Sequence, residues 1–218
     1  MTMKEKDILI IGAGGHAREI AFLIEEINLV NSQWNILGFV SNAVTEIGCS
    51  LNGYEIYSDT VLKHQDINHL HIVIAIGNPQ IVKRIHCELQ ELKGNFIFPN
   101  IIHPTQSSKL RGVSMGDGNI VCEGNIFTTN VRIGSFNCIN RGCNISHDVR
   151  IDNYCVINPG VNISGGVEIG DGSLIGTGAT ILQYLKIGSN SVVGAGAVVT
   201  KNVRKNKTVI GIPAREII

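Results

Sequence analysis

The segment Ile145-Ser-His-Asp148 places a histidine beside a carboxylate in a region that carries few other charged side chains, and His147 is the only histidine after His103. An imidazole changes charge near neutral pH, so it can take a proton from an attacking amine or hydroxyl. A neighbouring carboxylate can orient the ring or hold the resulting positive charge. His147 and Asp148 therefore predict a general base with a supporting acid; the alternative is a surface histidine in a polar turn.

The second candidate is the glycine-rich turn Gly12-Ala-Gly-Gly-His16, which follows an apolar run. Gly12-x-Gly14-x-x-Ala17 matches the dinucleotide fingerprint, and amides at the start of the next helix suit a phosphate. An NAD site also needs an acidic residue after the second strand, where this chain has Ser41 and Asn42. The pattern favours a nucleotide other than NAD, with a bare structural turn as the alternative.

The elements that position this turn alternate between strand and helix. We predict strands at Asp7 to Ile11, Ile36 to Val40, His71 to Ile76 and Phe96 to Phe98, and helices at Ala17 to Val30 and from Asn78-Pro79 to about Lys93. This order indicates a small Rossmann-like parallel α/β sheet, whose ligand crevice lies at the carboxyl ends of the strands. The predicted substrate-binding residues at those ends are Gly12, Gly14, Gly15, His16, Ser41, Asn42, Gly77 and Asn78.

The elements around His147 follow a six-residue period, with an aliphatic residue at every sixth position from Ile133 to Val199. A second small or apolar residue comes four positions later, with Asn137 and Leu185 as poorer fits. Such a period is typical of a β-solenoid, whose coils bury their aliphatic rows only by stacking. We predict a first domain over residues 1–104 and the solenoid over residues 105–218.

Composition excludes several classes of partner. The chain has 18 basic and 18 acidic residues and no Lys/Arg block, so we expect no nucleic acid and no anionic membrane surface as a partner. The longest apolar runs are too short to span a bilayer and no signal peptide opens the chain, which predicts a cytoplasmic protein. The six cysteines include no CxxC pair, and we interpret them as buried apolar residues.

The whole chain resembles the hexapeptide-repeat sugar acyltransferases of the sialic acid O-acetyltransferase group, whose relatives include nucleotide-amino-sugar N-acetyltransferases. Segments in both halves carry the resemblance. They are Ile11-Gly-Ala-Gly-Gly-His-Ala-Arg18, Gly38-Phe-Val-Ser-Asn42, Ile76-Gly-Asn78, Ile102-His-Pro104, Ile139-Asn140, Ser146-His-Asp148, Asn158-Pro-Gly160 and Val209-Ile-Gly-Ile-Pro-Ala-Arg215.

The resemblance implies a left-handed parallel β-helix, a homotrimer, and acetyl-CoA bound as acyl donor in the groove between neighbouring solenoids, with no metal. It implies that His147 is the catalytic base and Asp148 its acidic partner. Asn140 matches a position that borders the acceptor sugar. The stretches lining the CoA arm match Gly165, Thr177, Gly178, Ala195 and Gly196, and backbone amides there, Gly165 first, are suited to stabilising an oxyanion.

The chain departs from the family pattern at two places. Val156 stands where some relatives have a histidine that contacts the acetyl donor, which predicts that this contact is absent or replaced. Ser41-Asn42 stands where relatives that bind uridine nucleotides commonly have an acidic residue. A guanosine or thymidine nucleotide, or a free sugar, is therefore left open beside uridine.

The resemblance thus implies an acetyl-CoA-dependent acetyltransferase acting on an amino or hydroxyl group of a nucleotide-linked sugar in bacterial glycan synthesis. The alternatives are O-acetylation of a free sialic acid-type sugar and a non-catalytic nucleotide-sugar-binding solenoid, since a fold alone guarantees no activity. A zinc hydratase is disfavoured, because such a site needs three imidazoles and the coils carry one histidine.

Overall fold

A computed structural model of the chain describes residues 5–63, 68–92, 94–107 and 110–217. The chain divides into two compact units, Met1–Gly77 with Ile81–Ile101, and Asn78–Gln80 with Ile102–Ile218. The domain boundary after residue 104 stays a prediction, because compactness alone does not establish that either unit folds independently. Within the described ranges, no helix has the length and apolarity needed to cross a bilayer.

The first unit is built on one six-stranded sheet. Its elements are β1 (Lys6–Ile11), α1 (Gly15–Val30), β2 (Trp34–Ser41), β3 (Ser50–Leu51), β4 (Tyr54–Ser58), a 3₁₀ helix (Asp59–Lys63), β5 (Asn68–Ile74), α2 (Pro79–Glu91) and β6 (Asn95–Ile97). The strand order is β3-β4-β2-β1-β5-β6, and every pair except β3 with β4 is parallel. The predicted Rossmann-like parallel sheet is confirmed.

The hairpin of β3 and β4 is an element that the hydrophobic pattern did not predict. Asn52 and Gly53 join its strands, both with positive φ, and Asn-Gly is a strong signal for a two-residue hairpin turn. β4 also pairs with β2 and so extends the parallel sheet by one strand. The third predicted strand was set too far along the chain, because β5 ends at Ile74 and not at Ile76.

The second unit consists of one short helix and a stack of short strands. Its elements in chain order are β7 (Ile101–Ile102), α3 (Pro104–Ser107), β8 (Val113–Met115), β9 (Ile120–Val121), β10 (Ile126–Phe127), β11 (Val131–Ile133), β12 (Cys138–Ile139), β13 (Asn144–Ile145), β14 (Arg150–Ile151), β15 (Val156–Ile157), β16 (Asn162–Ile163), β17 (Glu168–Ile169), β18 (Leu174–Ile175), β19 (Thr180–Ile181), β20 (Lys186–Ile187), β21 (Val192–Val193), β22 (Val198–Val199), β23 (Thr208–Ile210) and β24 (Arg215–Glu216).

These strands form three parallel sheets, which are the three faces of a β-helix. Face A holds β10, β13, β16, β19 and β22; face B holds β8, β11, β14, β17 and β20; face C runs from β7 through β9, β12, β15, β18 and β21 to β23 and the antiparallel β24. From β8 to β19 each strand pairs with the strand 18 residues later, so three hexads make one coil; the last pairing, β21 with β23, has an offset of 16 residues. The predicted left-handed β-helix of hexapeptide repeats is confirmed.

The aliphatic row of the hexads forms the core of this β-helix. Every residue of the six-residue row from Ile133 to Val199 is buried, as are most of the residues four positions after them. Burial of one aliphatic side chain contributes roughly 1.5–3 kcal/mol, but only when a coil lies on each side of it. Stacking is therefore what makes two-residue strands stable.

Asn137 fits the core better than the sequence predicted, because hydrogen bonds satisfy its side chain. Its carboxamide donates to Oδ1 of Asn119 at 3.0 Å, and its own Oδ1 accepts from the amide of Cys155 at 2.7 Å. A similar bond joins Oδ1 of Asn125 to the amide of Cys143 at 2.8 Å. These asparagines satisfy turn amides inside the stack, where water does not reach them.

Candidate active site

His147 and Asp148 lie in the turn between β13 and β14, at the edge where face A meets face B. Nδ1 of His147 lies 2.8 Å from Oδ2 of Asp148, and Oδ1 of Asp148 accepts from the carboxamide of Asn130, one coil earlier, at 3.1 Å. The two side chains are 52% and 57% exposed. The pair therefore stands on the surface, where a substrate can reach it, and is held by groups on its own and the preceding coil.

Hydrogen bonds from His147 and Asn130 lower the pKa of the Asp148 carboxyl from its usual value. Asp148 therefore stays ionised to lower pH than an isolated aspartate and acts only as an acceptor. The Nδ1 atom that faces it must carry a proton, which leaves Nε2 of a neutral ring without one. In the described part of the chain Nε2 makes no hydrogen bond, so its lone pair is free to take a proton.

The turn one coil later, residues 165–166, packs against the imidazole. A Cβ at Gly165 would overlap the His147 ring, and a Cβ at Gly166 would overlap the ring of Tyr184, which follows one coil further on. Gly165 has an ordinary φ, so it is required by close approach, whereas Gly166 also has positive φ. The two glycines thus let both rings lie against the solenoid surface. Tyr184 is largely exposed, so its ring covers the turn without belonging to the core.

The edge that carries His147, here called the His147 edge, comprises residues 129–130, 147–148, 165–166 and 183–184. Of the predicted cofactor-binding residues, only Gly165 lies on it. Thr177, Gly178, Ala195 and Gly196 lie on the edge where face C meets face A, here called the Asn140 edge and comprising residues 140–142, 158–160, 176–178 and 194–196. Face A separates these two edges, so a single chain does not bring its predicted donor-binding residues together.

Asn140 is buried and serves the solenoid itself. Its carboxamide donates to the carbonyl of Ile157 at 3.2 Å. Its neighbours further along the same edge differ, because residues 177–178 and 195–196 are exposed. In the described residues the amides of Gly165, Thr177 and Ala195 donate no hydrogen bond, as expected for the first turn position of a coil. They are the free donors that both edges offer.

Val156 lies on face C and is buried, in register between Cys138 and Leu174 of the neighbouring coils. A buried valine offers no polar group to an acyl donor. The prediction that a polar contact is absent or replaced at this position is therefore consistent with the placement of its side chain.

In the first unit, Gly12 holds the end of β1 between its two neighbouring strands. Its amide donates to the carbonyl of Val40 at 2.9 Å, and a Cβ built on it would lie 2.9 Å from the carbonyl oxygen of Ala75. Its φ of +114° is a second reason for glycine. In contrast, a Cβ on Gly14 would meet nothing within 4 Å. This chain requires the first glycine of the fingerprint for its own packing, and leaves space at the second.

A cavity of about 630 Å³ opens at the carboxyl ends of β1 and β2. Its apolar part includes Ile11, Val40, Leu62, Ile76 and Ile85, and its polar part includes Ser41, Asn42, Asp59, Lys63, Arg84 and Glu88. Gly12, Ser41 and Asn42 are the predicted binding residues that line it. An apolar slot with a polar rim suits a planar base with its attached sugar.

The remaining residues predicted for the N-terminal site lie at helix starts. Gly14 is the N-cap of α1 and Gly15 its first residue, and Nδ1 of His16 lies 3.6 Å from Glu19. Asn78 follows Gly77 and caps α2, with Oδ1 accepting from the amide of Gln80 at 3.0 Å. This confirms the predicted helix start at Asn78-Pro79. None of these five residues lines the described cavity.

Two acidic residues near this cavity were missed by the sequence analysis. Ser41 donates to Oε2 of Glu46 at 2.8 Å, so a carboxylate does stand at the end of β2, supplied by the following turn. Asp59 follows β4, accepts from Ser58 at 3.2 Å and lines the cavity. The Asn52-Gly53 turn signal could have revealed β4 and hence Asp59. Glu46 depends on how a loop folds back, for which the sequence carries no periodic signal.

Comparison with known families gives a match in each half of the chain. The PglD N-terminal domain matches residues 7–89. The bacterial transferase hexapeptide family, defined by six repeats, matches residues 148–183 and 166–201. No curated protein gives a significant sequence match.

Solved structures match nearly the whole chain. WeeI from Acinetobacter baumannii is 29% identical, with 97% of this chain and 100% of that chain covered and a TM-score of 0.84. The acetyltransferase domain of PglB from Neisseria gonorrhoeae, in complex with acetyl coenzyme A, is 28% identical, with 98% and 100% covered and a TM-score of 0.84. PerB from Caulobacter crescentus, in complex with CoA and GDP-perosamine, is 25% identical, with 99% and 98% covered and a TM-score of 0.84.

Proposed function

The chain belongs to the hexapeptide-repeat sugar acyltransferases with a PglD-type N-terminal domain, and from that premise we propose how its own residues acetylate a sugar. It is an acetyl-CoA-dependent acetyltransferase of bacterial glycan synthesis. We assign catalysis to His147 and Asp148. The observation that carries this assignment is an exposed imidazole whose Nδ1 is held by an ionised carboxylate and whose Nε2 is free.

Transfer proceeds directly from donor to acceptor in one ternary complex. Nε2 of His147 accepts a proton from the sugar amine or hydroxyl as that group attacks the thioester carbonyl, and Asp148 stabilises the imidazolium that forms. The free amide of Gly165, which lies beneath the ring, is suited to the negative charge that develops on the carbonyl oxygen. The tetrahedral intermediate then expels CoA as a thiolate, and the imidazolium returns the proton to that sulfur. No covalent acyl-enzyme is formed.

We propose that the working unit is a homotrimer. The exposed residues at 177–178 and 195–196 lie one face away from His147 on the same chain, so they would serve its site only from a neighbouring copy. A closed ring with three-fold symmetry would bring the Asn140 edge of one copy against the His147 edge of the next. Acetyl-CoA would lie between them. The complexes of PerB with CoA and of PglB with acetyl coenzyme A support a donor of this class.

We propose a nucleotide-linked amino sugar as the acceptor, with its base in the cavity of the first unit. The observations that favour it are the apolar slot at the ends of β1 and β2 and the carboxylates of Glu46 and Asp59 near its rim. A carboxylate there can accept from a ribose hydroxyl or from the N–H groups of a base. The complex of PerB with GDP-perosamine supports this class of acceptor. We propose the cytoplasm as the location, since acetyl-CoA and nucleotide sugars are available there.

A CoA-release assay over a panel of acceptors tests this function. We expect release with at least one nucleotide amino sugar, and mass spectrometry of the product would show an added acetyl group on nitrogen. Release only with a free sialic acid-type sugar would instead establish the alternative acceptor, and no release with any acceptor would favour a non-catalytic nucleotide-sugar-binding solenoid. A thermal shift panel of bare nucleotides provides an independent readout of the cavity.

A further inference from the structure

Each turn of the solenoid between residues 115 and 200 contains one residue in the left-handed conformation, three positions after the buried aliphatic residue. Glycine, asparagine and aspartate adopt positive φ at the lowest cost, glycine because it lacks a Cβ. These three residue types occupy the position in all of those turns except three. The exceptions are aromatic residues with φ of +58° or +59°, namely Phe136, Tyr154 and Tyr184. A bulky side chain in this conformation needs a compensating interaction.

Phe136 and Tyr154 compensate each other on the edge where face B meets face C. Their ring centroids lie 5.6 Å apart with 12° between the ring planes, so the two rings are stacked. Both side chains are half-buried. Stacked aromatic rings stabilise each other beyond the apolar area that they bury. Packing within the fold therefore accounts for two of the three aromatic residues.

Packing does not account for Tyr184 in the same way. Within the described part of the chain its ring stacks on no other ring, and its hydroxyl makes no hydrogen bond. The residue is 67% exposed, and one edge of its ring lies against Gly166, where a Cβ would overlap it. The solenoid thus holds a large exposed ring in a costly backbone conformation. Such an outlier indicates a role in binding.

Tyr184 lies on the same edge of the solenoid as the catalytic pair. The amide of Gly166 donates to the carbonyl of His147, and the amide of Tyr184 donates to the carbonyl of Gly165, both at 2.9 Å. The imidazole packs on Gly165 from the preceding coil, and the phenol ring packs on Gly166 from the following coil. The two rings therefore flank one two-residue turn. That turn carries the free amide of Gly165, which is proposed above to bind the thioester oxygen.

The level of Tyr184 along the solenoid also matches the course proposed for the donor. Tyr184 lies about one coil after Gly165 and less than one coil before Ala195, and neighbouring coils are about 4.8 Å apart. In a ring whose three-fold axis runs along the solenoids, equivalent residues of neighbouring copies lie at the same level. A donor that extends from the amide of Gly165 to the level of Ala195 therefore passes the level of the Tyr184 ring.

The chemistry of this turn suits the pantetheine arm of CoA. Leu182, which lies on the same turn as Tyr184, is 42% exposed, so the coil after Gly165 presents two large apolar side chains to solvent. Pantetheine is an uncharged flexible chain of methylene and methyl groups interrupted by two amides. A tyrosine ring offers such a chain a large apolar surface and loses little conformational freedom on binding.

We propose that the ring of Tyr184 packs against the pantetheine arm of acetyl-CoA and thereby holds the thioester carbonyl at the amide of Gly165. This inference rests on the proposed function, because it assigns a contact to the donor of that reaction. It makes Tyr184 a binding residue that takes no part in proton transfer. The contact belongs to the ring and not to the hydroxyl, so phenylalanine should replace tyrosine at this position.

Calorimetric titration of the full-length protein with CoA tests the contact. Tyr184→Asn removes the ring and introduces a residue type that the solenoid already holds in this conformation at Asn130 and Asn190. We expect the Kd for CoA to rise at least about fivefold, as for the loss of a packed aromatic contact, and to stay within about twofold in Tyr184→Phe. Adenosine 3′,5′-bisphosphate, which lacks the pantetheine arm, should bind both variants as it binds the wild type.

Tyr154→Asn is the matched control, because it makes the same substitution at the same turn position on another edge. We expect Tyr154→Asn to lower the midpoint of urea unfolding, since it removes the stack with Phe136, and to leave the Kd for CoA unchanged. Tyr184→Asn should show the reverse, with a raised Kd and an unfolding midpoint no lower than that of the wild type. Light scattering verifies that the variants keep the assembly state of the wild type.

Several results would overturn the proposal. An unchanged Kd for CoA in Tyr184→Asn would remove the contact, and an unfolding midpoint lowered as far as in Tyr154→Asn would make the ring part of the fold. An equal loss of affinity in Tyr184→Phe would assign the contact to the hydroxyl. Weaker binding of adenosine 3′,5′-bisphosphate would move it to the nucleotide end of CoA, and loss of assembly would make Tyr184 an interface residue.

Kinetics separate this inference from the proposed function. With an acceptor found in the CoA-release panel, we expect Tyr184→Asn to raise the KM for acetyl-CoA and to leave the KM for the acceptor unchanged. A wild type that is active while Tyr184→Asn keeps its KM for acetyl-CoA would overturn the Tyr184 contact alone. A wild type that binds no CoA, or that acetylates no acceptor, would reject the proposed function itself.

Discussion

At the scale of single residues, the His147 imidazole is fixed by groups with different chemistry. Asp148 holds Nδ1 and thereby sets the tautomer, Asn130 holds Asp148, and Gly165 leaves space for the ring to lie against the next coil. Asp148 belongs to the same turn as His147, Asn130 to the preceding coil, and Gly165 to the following coil. The base is therefore positioned before any substrate binds, which is the condition for efficient proton transfer.

Replacing His147 by alanine removes the proposed base while keeping the turn. We expect kcat to fall roughly 10²–10⁴-fold, the usual contribution of a positioned general base. Acetyl-CoA affinity and assembly should stay near wild type, because the side chain is exposed and packs only on glycine. Steady-state CoA release and calorimetric titration with CoA measure the two effects separately. Unchanged turnover in this variant would reject the assignment of His147.

Gly165→Ala tests whether close packing of the imidazole on Gly165 is needed for catalysis, and it leaves both catalytic residues in the sequence. The added methyl group would overlap the imidazole, so the ring must turn away from the solenoid. We expect kcat to fall about 10²-fold, the effect of misplacing a catalytic group by about an ångström. Gly53→Ala is the control, because a Cβ there meets nothing, only the positive φ is strained, and the residue lies on neither edge of the solenoid. Equal losses of kcat in both variants would show a general folding defect and not displacement of the ring.

At the scale of elements, the solenoid is stable because each coil satisfies the polar groups of its neighbours. The buried carboxamide of Asn137 joins Asn119 on the coil before to the amide of Cys155 on the coil after. Its six-residue position predicts an apolar side chain, yet an amide in the turn needs an acceptor. Hydrogen-bond demand inside the stack therefore overrides the aliphatic pattern at this position.

Asn137→Ala should destabilise the solenoid by about 1–3 kcal/mol, because it leaves the buried amide of Cys155 without an acceptor. Asn144→Ala is the matched control. Asn144 donates to Asn162 in a similar coil-to-coil bond at 2.7 Å, but on an exposed face where water can replace it. We expect a change within about 0.5 kcal/mol for the control. Urea unfolding followed by circular dichroism measures both, and equal midpoints would contradict the inferred role of the ladder.

The elements differ in how far the sequence could predict them. The hexads were predictable in detail because each one repeats the same buried aliphatic position. Poor fits at Asn137 or Leu185 do not shift the register of the other hexads. In the first unit, strands and helices followed from apolar periods, but β3 and β4 are too short to show one. The carboxylate of Glu46 reaches Ser41 through the fold of a loop, and no spacing in the sequence encodes that approach.

At the scale of the whole molecule, the proposed site depends on which edges of the solenoid meet. The sequence assigned donor-binding residues by resemblance and could not show that Gly165 and Ala195 lie on different edges of one chain. That separation appears only once three hexads are wound into a coil. It makes a second copy of the chain a requirement of the proposed site, because each active site would need residues from two copies, and the proposed trimer supplies that second copy.

Two inactive variants should therefore restore each other when mixed in one trimer. His147→Ala removes the base, and Ala195→Trp would block the exposed turn proposed to contact the donor from the neighbouring copy. In randomly mixed trimers, about a quarter of the sites would combine an intact His147 edge with an intact Asn140 edge. We expect co-expressed variants to recover about that fraction of wild-type turnover, with each variant alone and a mixture of separately assembled proteins as controls. Trimers that contain both variants and release no more CoA than either alone would place the whole site within one chain, since no neighbouring edge could then supply the missing part.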